Sequence, residues 1–443
     1  MTFAEINISV RKKTISPIKK KLDFEKSPAE SFNFNLIIDE QKKYQKILGL
    51  GSSFEHSSCQ NLLKLPKEIR EKALKLLLSE KSGANLNLWR ICIGTSDFTG
   101  TEWYTYDDLN DLKEDMTLKN FSIEKDKEII IPVLKAALKI NPHILFFASP
   151  WSPPAWMKDS KEICGGKLLP HYYGVYADYL VKYIQAYEDL GIPIYAITVQ
   201  NEPGVDNPKM PSCKWTPEEE RDFIKDYLGP ALEEAPLKTK LWCFDHNFGF
   251  IRTPTSYPEV VLKDKEAAKY IDGIAFHHYG GKPEYMLLYK EQFPDKKIYF
   301  TEGSVFGLRG ARKIAKYFRC GAQSYNGWVP FLDTNHGPNN GPHRAKRTII
   351  ERKIPENAVL VNFDYFIMAH YSTFIQRGAQ MIYSKGIHKR GLSEVSFLNP
   401  DGTIVSILTN GTRRNKKVQL EWRGKYLVFT LPKKSMATLT WQS

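Results

Sequence analysis

YAITVQNEPG, residues 195–204, changes character halfway along. Ile197 and Val199 are β-branched and suit a packed parallel strand. Gln200, Asn201 and Glu202 then turn the chain polar. Pro203, with no amide proton to give a sheet, ends the strand. A glutamate at the C-terminal end of a buried strand stands where barrel enzymes keep their catalytic groups.

Working outward, seven more apolar runs share this texture. The full set is KILGLG (46–51), LWRICIG (88–94), HILFFASP (143–150), YAITVQNEP (195–203), KLWCFDHN (240–247), GIAFHHY (273–279), KIYFTEG (297–303) and NGWVPFLDTN (326–335). Segments with apolar residues at helical spacing separate several of them, such as 66–80, 128–140 and 176–190. Eight strand–helix units predict an α/β fold, a (β/α)8 TIM barrel over residues 46–375. An open, doubly wound sheet is the competing reading. It expects a glycine-rich phosphate loop after the first strand, and GLGSSFE (49–55) lacks the third glycine.

Both chain ends read as β-structure. EINISV (5–10) and FNFNLIID (32–39) alternate apolar and polar residues, and the lysine-rich stretch between them is expected to be a loop. From residue 376 come QMIYSK, EVSFLN, TIVSILTN, KVQLEW, YLVFTL and ATLTWQ, with turn signals at Asn399–Gly402 and Asn410–Gly411. Residues 1–45 and 376–443 are therefore expected to build a β-sandwich beside the barrel.

The chain carries 63 Lys+Arg against 50 Asp+Glu, a net charge of +13. The basic residues are dispersed in small clusters, Arg11–Lys13, Lys19–Lys21, Arg344–Arg347 and Arg413–Lys417. Dispersed charge reads as a solvated surface. An anionic membrane surface is a candidate partner, and nucleic acid is not expected, because no binding motif accompanies the charge. No motif speaks to oligomeric state. Six cysteines without a CxxC pair carry no zinc spacing, so no metal and no cofactor is expected. The N-terminus lacks the apolar core of a signal peptide, which reads as a cytoplasmic protein or as the mature or recombinant form of a secreted or lysosomal-type one.

The run ends carry the chemistry. They bring Asp97, Ser149, Trp151, Trp156, Asn201, Glu202, His277, His278, Tyr279, Glu302, Trp328, Asp333 and Asn335 toward one face of a barrel. Carboxylates, amides and aromatic rings together suit a sugar, whose apolar faces stack on rings and whose hydroxyls bond to polar groups. Glycoside hydrolysis needs two carboxyl groups, one protonated to donate to the leaving oxygen and one ionised to attack the anomeric carbon. Glu202 and Glu302 sit on the fourth and seventh runs, across a barrel mouth from one another. His277 and His278, adjacent on a strand, point to opposite faces and are not expected to share a metal with Asp245 or His246.

The ordered motifs LGLGSSFE, RICIGTSDFT with EWYTYDD, NFSIEKD, FFASPWSPPAWMK, ITVQNEPG, CKWTPEEERDFIKDYLGP, EAAKYIDGIAFHHY and FTEGS span most of residues 46–340. In this order they resemble glycoside hydrolase family 30, and within it the glucosylceramidase branch; NPDGTIVSILTN resembles the end of that family's sandwich. The resemblance implies a retaining β-glycosidase acting on β-glucosides, with glucosylceramide, a glycolipid, as a candidate substrate. It implies Glu202 as general acid/base and Glu302 as nucleophile, and Asp97, Trp151 and Asn201 as sugar-holding residues. It also implies a Tyr279 that approaches the nucleophile. His277, Trp328 and Phe331 complete the expected substrate contacts.

Three departures bear on the leaving group. The family's HWY is His277-His278-Tyr279, Phe331 stands near an expected tryptophan, and an aromatic loop bordering the aglycone is replaced by the basic segment NNGPHRAKRTIIERKIPENAVL (339–360). Other β-glycosides (β-1,6-glucan, β-xyloside or fucoside) are therefore the alternative substrates. A carbohydrate- or lipid-binding relative without turnover is the alternative of a different class.

Overall fold

The computed structural model describes residues 3–11, 18–110, 113–249, 252–304, 306–386 and 391–443. The barrel strands are β1 (Gly49–Gly51), β2 (Leu88–Ile93), β3 (Leu145–Pro150), β4 (Ile194–Thr198), β5 (Lys240–Asn247), β6 (Ile271–His277), β7 (Lys297–Glu302) and β8 (Ser324–Asn326). Strands β2 to β7 form one parallel sheet, and β8 pairs in parallel with β1. The ring closes where Asn87 N donates to Leu50 O and Arg90 N to Ser52 O, both at 2.9 Å, and where Gln323 N donates to Ile298 O at 2.7 Å. The expected barrel is present.

The eighth strand is earlier and shorter than the run 326–335. Its last barrel bond is Gly327 N to Gly51 O. Pro330 then breaks the apolar run, because it offers no amide proton. Phe331–Asp333 pairs instead with Ile350–Lys353, which forms a hairpin with Ala358–Val361. Part of the basic segment is thus β-structure.

Inward residues fill the barrel in layers. Leu88, Phe147, Ala196, Trp242, Ala275 and Tyr299 plug its floor. One step along each strand, Arg90, Ser149, Thr198, His277 and Thr301 form a buried polar layer. The alternation fails in two strands. The register shifts between Phe244 and His246 in β5 and between Phe300 and Glu302 in β7. A bulge of this kind re-aims side chains. Here Asp245 joins the polar layer, and Glu302 faces inward directly after Thr301.

The β5 bulge has its own support. Phe244 and Asp245 both take positive φ, 77° and 54°. Phe244 N donates to Glu220 Oε1 at 2.9 Å. Glu220 lies on helix Pro217–Phe223, whose start is fixed by a capping box between Thr216 and Glu219. Burial pushes the Glu220 carboxyl up to about 7.

The N- and C-terminal strands form one nine-stranded sheet folded on itself. In order these are Lys425–Leu431, Lys416–Trp422, Phe34–Lys46, Gln380–Lys385, Leu392–Leu398, Thr403–Asn410, Ser435–Gln442, Phe3–Val10 and Ile18–Asp23. Trp422 and Trp441, five places apart in that order, bring their rings to 5.9 Å. Between the layers lie Leu36, Leu420, Leu427, Ile404 and Leu439. Val395, Phe397, Val405 and Ile407 turn the other way, onto the barrel's core. Residues 18–23, expected as loop, form the outer strand of the sheet, and their lysines shield an open edge from further pairing. Residues 12–17 of that stretch lie outside the described residues. No helix among the described residues is long and apolar enough to cross a membrane.

Arg319, at the end of helix Gly307–Arg319, joins the two parts. It donates to Glu394 O at 2.9 Å and Ser384 O at 2.8 Å, and it pairs with the Glu394 carboxylate. Arg319→Ala is expected to cost about 2–3 kcal/mol, less than a fully buried pair because the arginine is partly exposed. Urea unfolding measures it. For Glu220 the sign is opposite to an ion-paired acid. Its folded value near 7 exceeds the ordinary 4.5, so its stability contribution is complete below pH 4.5 and lost as pH rises through 7. Glu220→Gln should flatten the fall in stability across that window by up to about 3 kcal/mol. The slope that remains belongs partly to Glu55, which burial also pushes to about 7.

Candidate active site

A guanidinium lies at the centre of the barrel mouth. Arg90 is 1% exposed and reaches three strands. It pairs with Asp245 at 2.7 Å, donates to Asn201 Oδ1 at 2.8 Å and contacts Glu302 Oε2 through Nη1. The Trp151 ring covers it, 4.7 Å from the guanidinium carbon, and stacks in turn on Trp328 at 5.3 Å. A buried arginine among strand residues is stable only when so paired.

Loop backbone bonds fix the strand ends around it. Asn201 N donates to Pro150 O, Glu202 N to Asp245 O, and Trp328 N to Gly303 O. Glu202 itself takes φ 48°, a left-handed conformation rare for a non-glycine residue and a mark of functional sites.

His277 stands between the two glutamates. Its Nε2 faces Asp245 Oδ1 at 3.0 Å, and its Nδ1 lies 3.1 Å from Glu202 Oε1 and 3.8 Å from Glu302 Oε2. Burial works against its charge, but Glu302 and Asp245 prevail and push it up to about 9. Burial would raise Asp245, yet Arg90 and His277 hold it below the usual carboxylate range. Glu202 is likewise buried, and the imidazoles of His246 and His277 outweigh that and hold it low. Glu302 goes the other way. Burial pushes it up against the pull of His277 and Arg90, with the Glu202 and Asp97 carboxylates adding to the rise. Tyr279 donates its hydroxyl to Glu302 Oε1 at 2.8 Å.

Asp97 is buried beyond Trp151. Burial raises its carboxyl against a hydrogen bond to His343 Nδ1 at 3.1 Å. His343 comes from the basic segment, which is fastened over the Asp97 loop. Asn340 N donates to Thr99 O, and Gly341 N to Asp97 O. The glycine is required there, since a Cβ would meet Asp97 O at 2.5 Å.

The structure brings Glu202, Glu302, Asp97, Trp151, Asn201, Tyr279, His277 and Trp328 together. Phe331 is the exception and corrects the expectation. It is 0% exposed and packs in the main core, its amide and carbonyl both bonded to Ser58 Oγ. Alternation along its short strand sends the neighbouring Leu332, not Phe331, toward Trp151 and Trp328. Sequence reasoning missed Arg90 and His343, and weighed Asp245 and His246 only as metal partners of the histidines, setting them aside. Arg90 had a signal, a charge inside the apolar strand LWRICI. Asp245 and His246 depend on a bulge. His343 lies 246 residues from its partner. A groove of about 980 Å³ lies elsewhere, between Lys19–Lys21, Leu76, Val359–Val361 and Phe366, and holds none of these groups.

The comparisons with known proteins agree with this geometry. The family description for the glycosyl hydrolase family 30 TIM-barrel domain matches residues 47–321, and that for the family 30 beta sandwich domain matches residues 378–439. An endo-1,6-beta-D-glucanase of Neurospora crassa is 31% identical, covering 87% of this chain and 83% of its own. The lysosomal acid glucosylceramidase of Mus musculus is 30% identical, covering 85% of this chain and 77% of its own. A solved endo-β1,6-glucanase superposes with a TM-score of 0.90 at 30% identity over 99% of both chains. With a barrel and sandwich matched in order and a paired-glutamate site at the barrel mouth, the chain belongs to glycoside hydrolase family 30 and is a glycoside hydrolase.

Proposed function

We propose that the enzyme cleaves β-glucosides with retention, by double displacement through Glu302 as nucleophile and Glu202 as general acid/base. The observation that carries this reading is the shared imidazole, one His277 nitrogen within 4 Å of both carboxyl groups. Such closeness suits the about 5–5.5 Å spacing of a retaining pair, which leaves no room for a water between acid and base.

The reaction needs a proton on Glu202 and a charge on Glu302. His277 Nδ1 supplies the exchange. It gives its proton to Glu202 and takes one from Glu302, returning to the imidazolium that Asp245 stabilises. Arg90 and Tyr279 hold the Glu302 carboxylate once it is ionised. Glu302 then attacks the anomeric carbon while Glu202 protonates the departing oxygen. In the second half Glu202 removes a proton from water, which displaces Glu302. Asp97, Trp151, Asn201 and Trp328 hold the glucosyl unit.

The leaving group divides two readings. Glucosylceramide follows from the glucosylceramidase likeness. A β-1,6-linked glucan follows from the endo-1,6-glucanase likeness. It is supported by the polar segment fastened to the Asp97 loop, with Asn339, Asn340 and His343. Polar residues near a site suit sugar hydroxyls better than an acyl chain.

On a chromogenic β-glucoside, Glu302→Gln and Glu202→Gln should each lower kcat by roughly 10²–10⁴-fold, with the glutamine in place of the nucleophile the more severe. Wild-type activity in both variants would remove the mechanism. Proton NMR of the first-formed sugar should show the β-anomer. Side-by-side hydrolysis of β-1,6-gluco-oligosaccharides and of glucosylceramide in mixed micelles should give the higher kcat/KM on the oligosaccharide. The reverse order would return the assignment to the glycolipid.

A further inference from the structure

We propose that Glu202, His246 and His277 form a binding site for one transition-metal dication, of which zinc is the test ion, and that its occupation switches hydrolysis off. The second half rests on the reading of Glu202 as acid/base; the binding itself does not.

The geometry comes first. A tetrahedral zinc with nitrogen and oxygen ligands at about 2.0–2.1 Å has donor atoms about 3.3–3.5 Å apart. Glu202 Oε1 lies 3.1 Å from His277 Nδ1 and 3.5 Å from His246 Nδ1. All three donor atoms fall within 4.8 Å of one another. The edge to His246 matches, the edge to His277 is slightly short, and the third, within 4.8 Å, closes by movement of the His246 ring. Turning that ring breaks no hydrogen bond beyond the long approach of its Nδ1 to Glu202.

The second observation is the support behind the ligands. His277 Nε2 faces Asp245 Oδ1 at 3.0 Å. A carboxylate behind an imidazole fixes the ring and directs its other nitrogen's lone pair outward, as in zinc sites generally. Asp245 is itself held by Arg90, Ser149, Thr198 and Thr301. The ligand His277 is thus preorganised to a degree that a surface pair of histidines is not.

The donor set selects the ion. Two imidazole donors favour zinc or copper over magnesium or calcium, which prefer oxygen. The remaining coordination position opens into the sugar pocket. A metal there occupies the Glu202 lone pair that receives the catalytic proton and the His277 nitrogen that exchanges protons with the glutamates, so binding and turnover exclude each other.

Calorimetric titration of zinc chloride into the full chain should show one ion bound, with magnesium and calcium silent. Both His246→Gln and Glu202→Gln should weaken zinc at least tenfold, the scale on which lost site groups act. Glu302→Gln should keep zinc while losing turnover, which separates this proposal from the catalytic one. Zinc should inhibit hydrolysis of a chromogenic β-glucoside, and EDTA should restore it. The half-inhibiting concentration should rise at least tenfold in His246→Gln, each protein being compared with its own zinc-free rate. Wild-type zinc affinity in both His246→Gln and Glu202→Gln would overturn the site, as would no binding up to about 1 mM zinc. Zinc bound without inhibition would overturn the switch. If His246→Gln fails to fold, the Glu202→Gln titration decides alone.

Discussion

One buried guanidinium organises this molecule. Arg90 sits in the second barrel strand and holds groups from the fourth, fifth and seventh strands, Asn201, Asp245 and Glu302. Removing such a charge from water costs several kcal/mol, which only close pairing offsets. The pairing therefore draws these strand ends into one register. Trp151 and Trp328 close over the guanidinium and shield it. The same contacts that make Arg90 tolerable also set the charge state of Glu302, so folding and catalysis draw on one set of interactions.

The polar layer around Arg90 exists because two strands depart from regular alternation. In β5 and β7 a register shift turns consecutive positions inward, bringing Asp245 with His246 in one case and Thr301 with Glu302 in the other. The first bulge needs a partner for its displaced amide, and Glu220 on a neighbouring helix supplies it. Two positive φ values in succession are held there by packing from outside the barrel. Strain of this kind at a site reflects what the chemistry requires of the backbone.

Family membership and substrate choice rest on different parts of the chain. The barrel and the sandwich are common ground with the relatives. The segment after Gly337 lies between the two family matches. It adds two strands at the edge of the barrel and lays a polar stretch over the Asp97 loop, with His343 capping the aspartate itself.

The eight-unit barrel, the sandwich from both ends and the glutamates at two strand ends were legible in the residues alone. Apolar periodicity, strand-ending prolines and turn residues are local signals, and hydrophobic burial acts on them wherever the chain goes. The ordered motifs then named the family. What the sequence did not hold was the long-range and the irregular. The eighth strand was misplaced because Pro330 divides an apolar run that reads as one. Phe331 was misassigned because a face cannot be read from a three-residue strand. The lysine-rich strand 18–23 looked like loop because its pairing to Phe3–Val10, not its composition, makes it a strand. Asp245 and His246 enter the site through a bulge, and His343 through a loop docked from the far end of the barrel. Composition and spacing determined which chemistry was available; only the closing of the barrel around a buried charge decided which groups touch, because contacts between distant residues are set by packing and pairing and not by order along the chain.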